Sequence, residues 1–150
     1  MALTIQTPTI RDIEELYDIE KECFNEESFS KKQILGLITS YNSVSLSAKE
    51  KDQIVGFIIG TIYYERAELT GHILTINIRE AHRRKGVGIA LLEEMEKQFK
   101  EQGVTVCRLE VREDNIPAIR LYEKLGYKRI AELENYYGKV NGLCLKKLLT

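Results

Sequence analysis

The stretch Gly71-His72-Ile73-Leu74-Thr75-Ile76-Asn77-Ile78-Arg79-Glu80-Ala81-His82-Arg83-Arg84-Lys85-Gly86-Val87-Gly88 reads as a strand, a basic loop and the start of a helix. From His72 to Ile78 no Gly or Pro interrupts a run rich in β-branched residues, which suits extended backbone, while Val87, Ala90, Leu91, Met95 and Phe99 recur at helical spacing. Gly86 and Gly88 let the chain turn tightly into that helix, so that unpaired N–H groups can converge on an anion, with Arg83, Arg84 and Lys85 beside them. Free N–H groups, a favourable dipole and adjacent cations together make a phosphate or pyrophosphate site. The plainer alternative is a ligand-free turn beside a solvated basic run. Two known phosphate motifs fail on spacing. A dinucleotide turn needs glycine where Leu91 stands, and a nucleoside-triphosphate loop needs lysine after its glycine, whereas Lys85 precedes Gly86.

Working outward, a chain of 150 residues with 43% hydrophobic content suits one domain, residues 1–150, with its own core and one site. The net charge of −1, from 22 basic and 23 acidic residues, leaves no global footprint for nucleic acid or an anionic membrane, so the cations at 83–85 act locally. No apolar run reaches membrane-spanning length, and Met1-Ala2-Leu3-Thr4-Ile5-Gln6 lacks the regions of a signal peptide, so a cytoplasmic protein is expected. Cys23, Cys107 and Cys144 are odd in number and widely spaced, which points to buried free thiols and to no metal site. The only histidines are His72 and His82, and neither can be matched to a cysteine nucleophile from sequence.

Leu3–Gln6 reads as a short strand; Pro8-Thr9 ends it and opens a helix, with Asp12 three residues after the candidate cap Thr9. Ile10, Ile13, Leu16, Tyr17, Ile19 and Glu20 form its mostly apolar face to about Cys23. After the break at Phe24–Phe29, Ser30-x-x-Gln33 signals a second helix whose apolar positions are Ile34, Leu35, Leu37 and Ile38. Val44, Leu46 and Ala48 alternate with serines, which predicts a half-exposed strand, and Glu50-Lys51-Asp52-Gln53 turns the chain into Ile54–Tyr64. That second strand is apolar on both faces and therefore central, with Gly56 and Gly60 marking close approaches. Beyond the basic loop and its helix come a strand at Val104–Val111, a helix at Asn115–Leu125 closed by Gly126, and two last strands, from Tyr127 onward and at Leu143–Leu148. The order is that of a mixed α/β sheet without repeats.

The pattern Arg83-x-x-Gly86-x-Gly88 after a strand resembles the acyl-CoA pyrophosphate loop of the GNAT superfamily of N-acetyltransferases. The run Leu109-Glu110-Val111-Arg112-Glu113-Asp114-Asn115-Ile116-Pro117-Ala118-Ile119-Arg120-Leu121-Tyr122-Glu123-Lys124-Leu125-Gly126-Tyr127 resembles the second half of that fold. Within the superfamily, Gly71-His72-Ile73, Val111-Arg112, Asn115, Leu121-Tyr122 and Asn135-Tyr136-Tyr137 are most similar to protein N-terminal (Nα) acetyltransferase catalytic subunits and ribosomal-protein alanine acetyltransferases. The resemblance implies a mixed central sheet of about seven strands flanked by about four helices, with a splayed strand pair holding acetyl-CoA. Arg83, Arg84, Lys85, Gly86, Val87 and Gly88 are then expected at the pyrophosphate, the backbone of Ile76-Asn77-Ile78 at the pantetheine, and Asn115 at a second CoA contact; its simpler reading is the cap of its helix, and the two roles are compatible.

Acetyl transfer from a thioester to an amine requires that the amine be neutral and that the departing thiolate be reprotonated. Glu110, a carboxylate between Leu109 and Val111, is read as the base, against the alternative of a solvent-facing strand residue. His72 matches a histidine of the family's Gly-His-Ile stretch and is its companion, since a free imidazole with pKa about 6.5 suits proton transfer. Tyr122 matches the tyrosine that stands near the thioester sulfur, where a phenol can donate to the thiolate; a packed aromatic is its plain alternative. Phe24, Glu26 and Glu27, in the loop between the first helices, and Tyr136 and Tyr137, between the last strands, are expected to hold the substrate. The implied acceptor is a protein or peptide N-terminus, with an auxiliary ribosome-binding subunit as a further partner and no metal, nucleic acid or membrane. Narrow ribosomal-protein or small-amine acetyltransferases and a catalytically silent acyl-CoA-binding module stay open as alternatives.

Overall fold

The computed structural model describes residues 2–24 and 28–150. In chain order these form β1 (Thr4–Gln6), α1 (Ile13–Cys23), α2 (Lys31–Thr39), β2 (Ser43–Glu50), β3 (Gln53–Glu65), β4 (Glu68–Ile78), α3 (Val87–Glu101), β5 (Val106–Arg112), α4 (Ile116–Lys124), β6 (Lys128–Tyr137) and β7 (Val140–Leu148). Both sequence-level capping boxes are present. Thr9 and Asp12 exchange hydrogen bonds at a short 3-10 turn that leads into α1, and Ser30 and Gln33 do the same at the start of α2.

The strands form one seven-stranded sheet in the order β1-β2-β3-β4-β5-β7-β6. All neighbours are antiparallel except β4 and β5, which α3 joins as a parallel crossover pair. Hairpins at Lys51-Asp52 and Arg66-Ala67 have positive φ at both central residues, at 50° and 67° and at 50° and 68°. That backbone twist matches the strands they join even though neither turn contains glycine. The second hairpin explains why β4 begins at Glu68, four residues before the sequence reading placed it.

Helices cover both faces. On one, Leu91, Leu92, Met95 and Phe99 of α3 pack on Ile58, Ile73, Cys107 and Leu109, and α4 adds Ile119 and Tyr122. On the other, Leu16, Ile19 and Ile34 of α1 and α2 pack on Ile54, Phe57 and Ile59. Double coverage also corrects the reading of β2 as half-exposed. Ser45 and Ser47 are 6% and 0% exposed because β2 lies between β1 and β3, and the Ser47 hydroxyl donates to the Gln6 carbonyl at 3.2 Å. Short hydroxyl side chains thus fill a covered face, where their alternation with apolar residues mimics solvent exposure.

The close approaches expected at Gly56 and Gly60 are present. A Cβ on Gly56 would lie 2.8 Å from the Asn77 carbonyl oxygen, and one on Gly60 the same distance from the Phe99 ring. Gly71 is tighter still, at 2.4 Å from that ring, so two glycines on adjacent strands make the recess that seats Phe99. We expect Gly71→Ala to destabilise the fold by about 1–3 kcal/mol through overpacking. Gly36, in α2 with nothing within 4 Å of a Cβ, should gain about 0.5–1 kcal/mol on substitution by Ala. Denaturant midpoints of the two variants test the opposite signs.

Candidate active site

β4 and β5 stay paired only from Thr70–Val106 to Ile73–Leu109. There the register of β3 with β4 slips, from Gly60–Ile73 to Ile59–Thr75, leaving Leu74 as an extra residue. Such a bulge bends its strand and leaves the extra residue unpaired. Past it β4 stays with β3 as far as Ile78, while β5 continues to Arg112 alongside β7. The edge of β4 that faced β5 is therefore open beyond Ile73, and Ile76, Asn77 and Ile78 lie along it.

Two expected residues meet where the strands part. His72 Nε2 lies 2.6 Å from Glu110 Oε1, with 16% and 9% of the side chains exposed. Arg108, which the sequence reading did not single out, donates from Nη2 to Glu110 Oε2 at 2.9 Å and from Nη1 to Glu65 Oε2 at 3.0 Å. The Tyr63 hydroxyl lies 3.3 Å from His72 Nδ1. Burial alone would raise the Glu110 pKa, but the hydrogen bonds and charges of His72 and Arg108 outweigh it and hold the carboxyl below its ordinary value. With Glu110 ionised, its carboxylate accepts from the imidazole N–H at Nε2, which leaves Nδ1 facing the Tyr63 hydroxyl. Glu110 is thus neither a core residue nor a freely solvated one.

The period of two could have revealed Arg108, since it stands two residues before Glu110 on the same face of β5. Tyr63 is visible only once the β3–β4 register pairs Thr61 with His72. Cys144 is likewise hidden in sequence: it pairs directly with Glu110 across β5 and β7, buried and with its thiol pKa pushed up by that burial.

Tyr136 faces the same site. Burial comes first among the causes that raise its phenol pKa and the charge of Glu110 second, although the residue is 53% exposed. A register shift in β6 between Leu133 and Tyr137, with Asn135 at φ 52°, re-aims this segment. Tyr137 meets Tyr136 edge-on at 4.9 Å and lies under the Arg112 guanidinium. Phe24 is half-buried at the end of α1. Glu26 and Glu27 lie outside the described residues.

Tyr122 is on the opposite face of the sheet, in the α3–α4 core, 7% exposed and edge-on to Tyr127 at 5.9 Å. Burial pushes its pKa to about 12, which keeps the phenol protonated. Asn115 caps α4, its Oδ1 accepting from Ala118 N–H at 3.3 Å, as its simpler reading anticipated.

The basic loop curls through left-handed backbone at Arg84 (φ 63°) and Gly86 (φ 85°) and enters α3 without a side-chain cap, so the first N–H groups of the helix are open to an anion. Nothing lies within 4 Å of a Cβ at Gly86, so glycine is required there for its φ and not for space. Arg84 and Lys85 are exposed. Arg83 folds back: its Nε donates to the Ile78 carbonyl at 3.1 Å and its Nη2 to Cys23 Sγ at 3.4 Å. Cys23 is only half-buried, unlike Cys107 and Cys144, and all three thiols are free. Among the described residues no cluster of His, Cys, Asp and Glu is placed to hold a metal ion, and no helix is long and apolar enough to cross a membrane.

Because the folded-state pKa of Glu110 is lowered, its contribution to stability is present above the unfolded value of about 4.3 and is lost as pH falls through the folded value. Thermal melts of the protein and of Glu110→Gln should therefore differ at neutral pH and converge as the pH is lowered below the ordinary carboxylate range.

Residues 13–127 match the acetyltransferase (GNAT) family. Over 109 residues the chain is 35% identical to an N-alpha-acetyltransferase of Sulfurisphaera tokodaii, a match spanning 67% of this chain and 65% of that one. It is 27% identical over 143 residues to the [ribosomal protein bS18]-alanine N-acetyltransferase of Escherichia coli K12, covering 93% of this chain and 90% of that one. The crystal structure of Ard1 from Thermoplasma volcanium superposes with a TM-score of 0.92 at 32% identity, covering 100% of this chain and 99% of that one. The parted β4–β5 pair, the uncapped start of α3 and these likenesses agree: the chain belongs to the acetyltransferase (GNAT) family.

Proposed function

We propose that this protein transfers an acetyl group from acetyl-CoA to the α-amino group of protein N-termini. The observation that carries the reading is the His72–Glu110 pair, 2.6 Å apart at the point where β4 and β5 separate. The names of the Sulfurisphaera relative and of the other similar proteins support it.

Acetyl-CoA supplies an activated thioester, and this chain holds it and manages the protons. The open N–H groups at the start of α3, with Arg84 and Lys85, receive the pyrophosphate; Arg83 joins them once it leaves the Ile78 carbonyl. That release leaves the Ile78 carbonyl with the Cys23 thiol alone, at 3.5 Å, and the open edge of β4 at Ile76 and Ile78 then receives the amide groups of the pantetheine arm. On the other side of the gap, each Glu110 oxygen has one partner in place and a lone pair to spare, so the carboxylate can attract a cationic amine. Its lowered pKa means that it does not keep a proton at neutral pH, and His72, held between Glu110 and Tyr63, is the neighbour positioned to share it. Tyr122, which its raised pKa keeps protonated, is our candidate donor to the leaving thiolate.

The acceptor follows from the same chemistry. An α-amino group of pKa about 7.7–8.0 is roughly one-tenth neutral at pH 7, whereas a lysine side chain near 10.4 is neutral in well under a thousandth. A carboxylate–imidazole pair can therefore serve the first with little driving force. Tyr136 and Tyr137 flank the site as holders of the peptide backbone. The Escherichia coli relative carries the narrower alternative of a ribosomal-protein acceptor, and turnover of a library of N-terminal peptides separates the two.

Three measurements test this reading. Mass spectrometry of a lysine-containing peptide after incubation with acetyl-CoA should find the new acetyl group on the α-amine; exclusive lysine modification would overturn the assignment. Glu110→Gln should lower kcat/KM about 10²-fold with acetyl-CoA affinity nearly intact, His72→Ala should cost less, and the double variant should be scarcely worse than Glu110→Gln, as for groups acting as a unit. A side chain at Gly88 meets only Ile78, at 3.9 Å, so Gly88→Asp should fold yet weaken acetyl-CoA binding tenfold or more in calorimetry.

A further inference from the structure

Glu20 is a carboxylate in an apolar helix face, and the structure buries it to 1% exposure between α1 and β4. Its Oε1 accepts from the Thr75 hydroxyl and from Asn77 Nδ2, each at 2.9 Å. Its Oε2 accepts from the backbone N–H of Phe29 at 3.1 Å. No charged group contributes to its environment among the described residues, and burial pushes its pKa up against those three hydrogen bonds. A buried carboxylate held only by neutral donors is a costly way to fasten a helix to a sheet, since an apolar residue would pack there without desolvation. The arrangement does have a use for an acid in particular. Three donors converge, and a carboxylate is the side chain that offers two oxygens and no hydrogen.

The donors come from two parts of the chain that the active site needs together. Thr75 and Asn77 follow the Leu74 bulge on β4, on the same sheet face as His72 and on the segment that parts from β5. Phe29 belongs to the connection between α1 and α2, immediately before the α2 cap Ser30. We propose that Glu20 is a positioning residue for acetyl transfer, fixing the entry to α2 against the part of β4 that follows His72, and so setting where the acceptor peptide sits relative to the His72–Glu110 pair. This rests on the acetyl-transfer reading above.

The experiment compares steady-state kinetics of the wild type, Glu20→Gln and the exchange Glu20→Gln/Asn77→Asp, with acetyl-CoA affinity measured by calorimetry. In Glu20→Gln an NH2 group replaces one acceptor oxygen, so Phe29 or the β4 pair loses its partner. The peptide KM should rise about tenfold, because small displacements of positioning groups have large kinetic effects, while acetyl-CoA affinity stays within twofold. In the exchange the Gln oxygen can accept from Phe29, and its NH2 can donate to the new carboxylate, which also accepts from Thr75. The peptide KM should return to within threefold of wild type. An unchanged KM in Glu20→Gln, or a KM that the exchange does not recover although it folds, would overturn the proposal. If Glu20→Gln does not fold, Thr75→Val takes its place, with the peptide KM expected to rise threefold or more and an unchanged KM counting against the idea. Hydrogen exchange of the Phe29 amide is independent of turnover. It should be protected in the wild type and faster in Glu20→Gln, or in Thr75→Val in its place. Wild-type protein that turns over no N-terminal peptide removes the underlying reading, whereas an unprotected Phe29 amide removes the anchor itself.

Discussion

The parallel pairing of β4 with β5 holds over a short span and then ends, and the site depends on that ending. Up to Ile73 and Leu109 the two strands form a continuous sheet, which fixes the spacing of His72 from Arg108 and Glu110. Beyond that point, the bulge at Leu74 turns β4 with β3, while β5 is held by an unbroken ladder to β7 from Val106 to Arg112. Each strand satisfies its outer edge elsewhere, so the inner edges can separate without disordering either. The His72–Glu110 pair lies where this gap begins.

Charge is distributed around this gap with economy. Glu110 is nearly buried, and a lone carboxylate in that position would favour its neutral form. His72 on one oxygen and Arg108 on the other reverse this, and Glu65 accepts from the other terminal nitrogen of Arg108, Nη1, at 3.0 Å. Lys146, 3.9 Å from Glu65, extends the series toward the surface. The network keeps a negative charge at the point where β4 and β5 part. Glu20 is arranged on the opposite plan: among the described residues only neutral donors surround this buried acid, which suits a fixed support more than a proton acceptor.

Packing supplies the rigidity. Phe99 sits in the recess made by Gly60 and Gly71, so α3 is seated directly against the strands whose parting forms the gap. Its first turn, at the opposite end, leaves its N–H groups uncapped. A helix firmly docked at one end can present an open N-terminus at the other without fraying, which is the condition for holding a phosphate group by backbone alone.

Much of this was legible in the chain itself. Helical and strand periodicities, the two capping boxes and the glycines of the basic loop are local signals, and each of them depends on residues within a turn or two of one another. They gave the element order and the open start of α3, whereas His72, Glu110 and Tyr122 became candidates through the family resemblance of the motifs that carry them. What the sequence could not hold is whatever depends on register. That β4 begins at Glu68, that Ser45 and Ser47 face a covered surface, that Arg108 and Tyr63 clamp the His72–Glu110 pair and that Cys144 lies across from Glu110 follow from strand pairing between segments far apart in the chain. Glu20 shows the same limit. Its helical spacing placed it on the buried face, but only the fold brings Thr75, Asn77 and the Phe29 amide to its two oxygens, because a hydrogen bond is decided by the meeting of donor and acceptor in space.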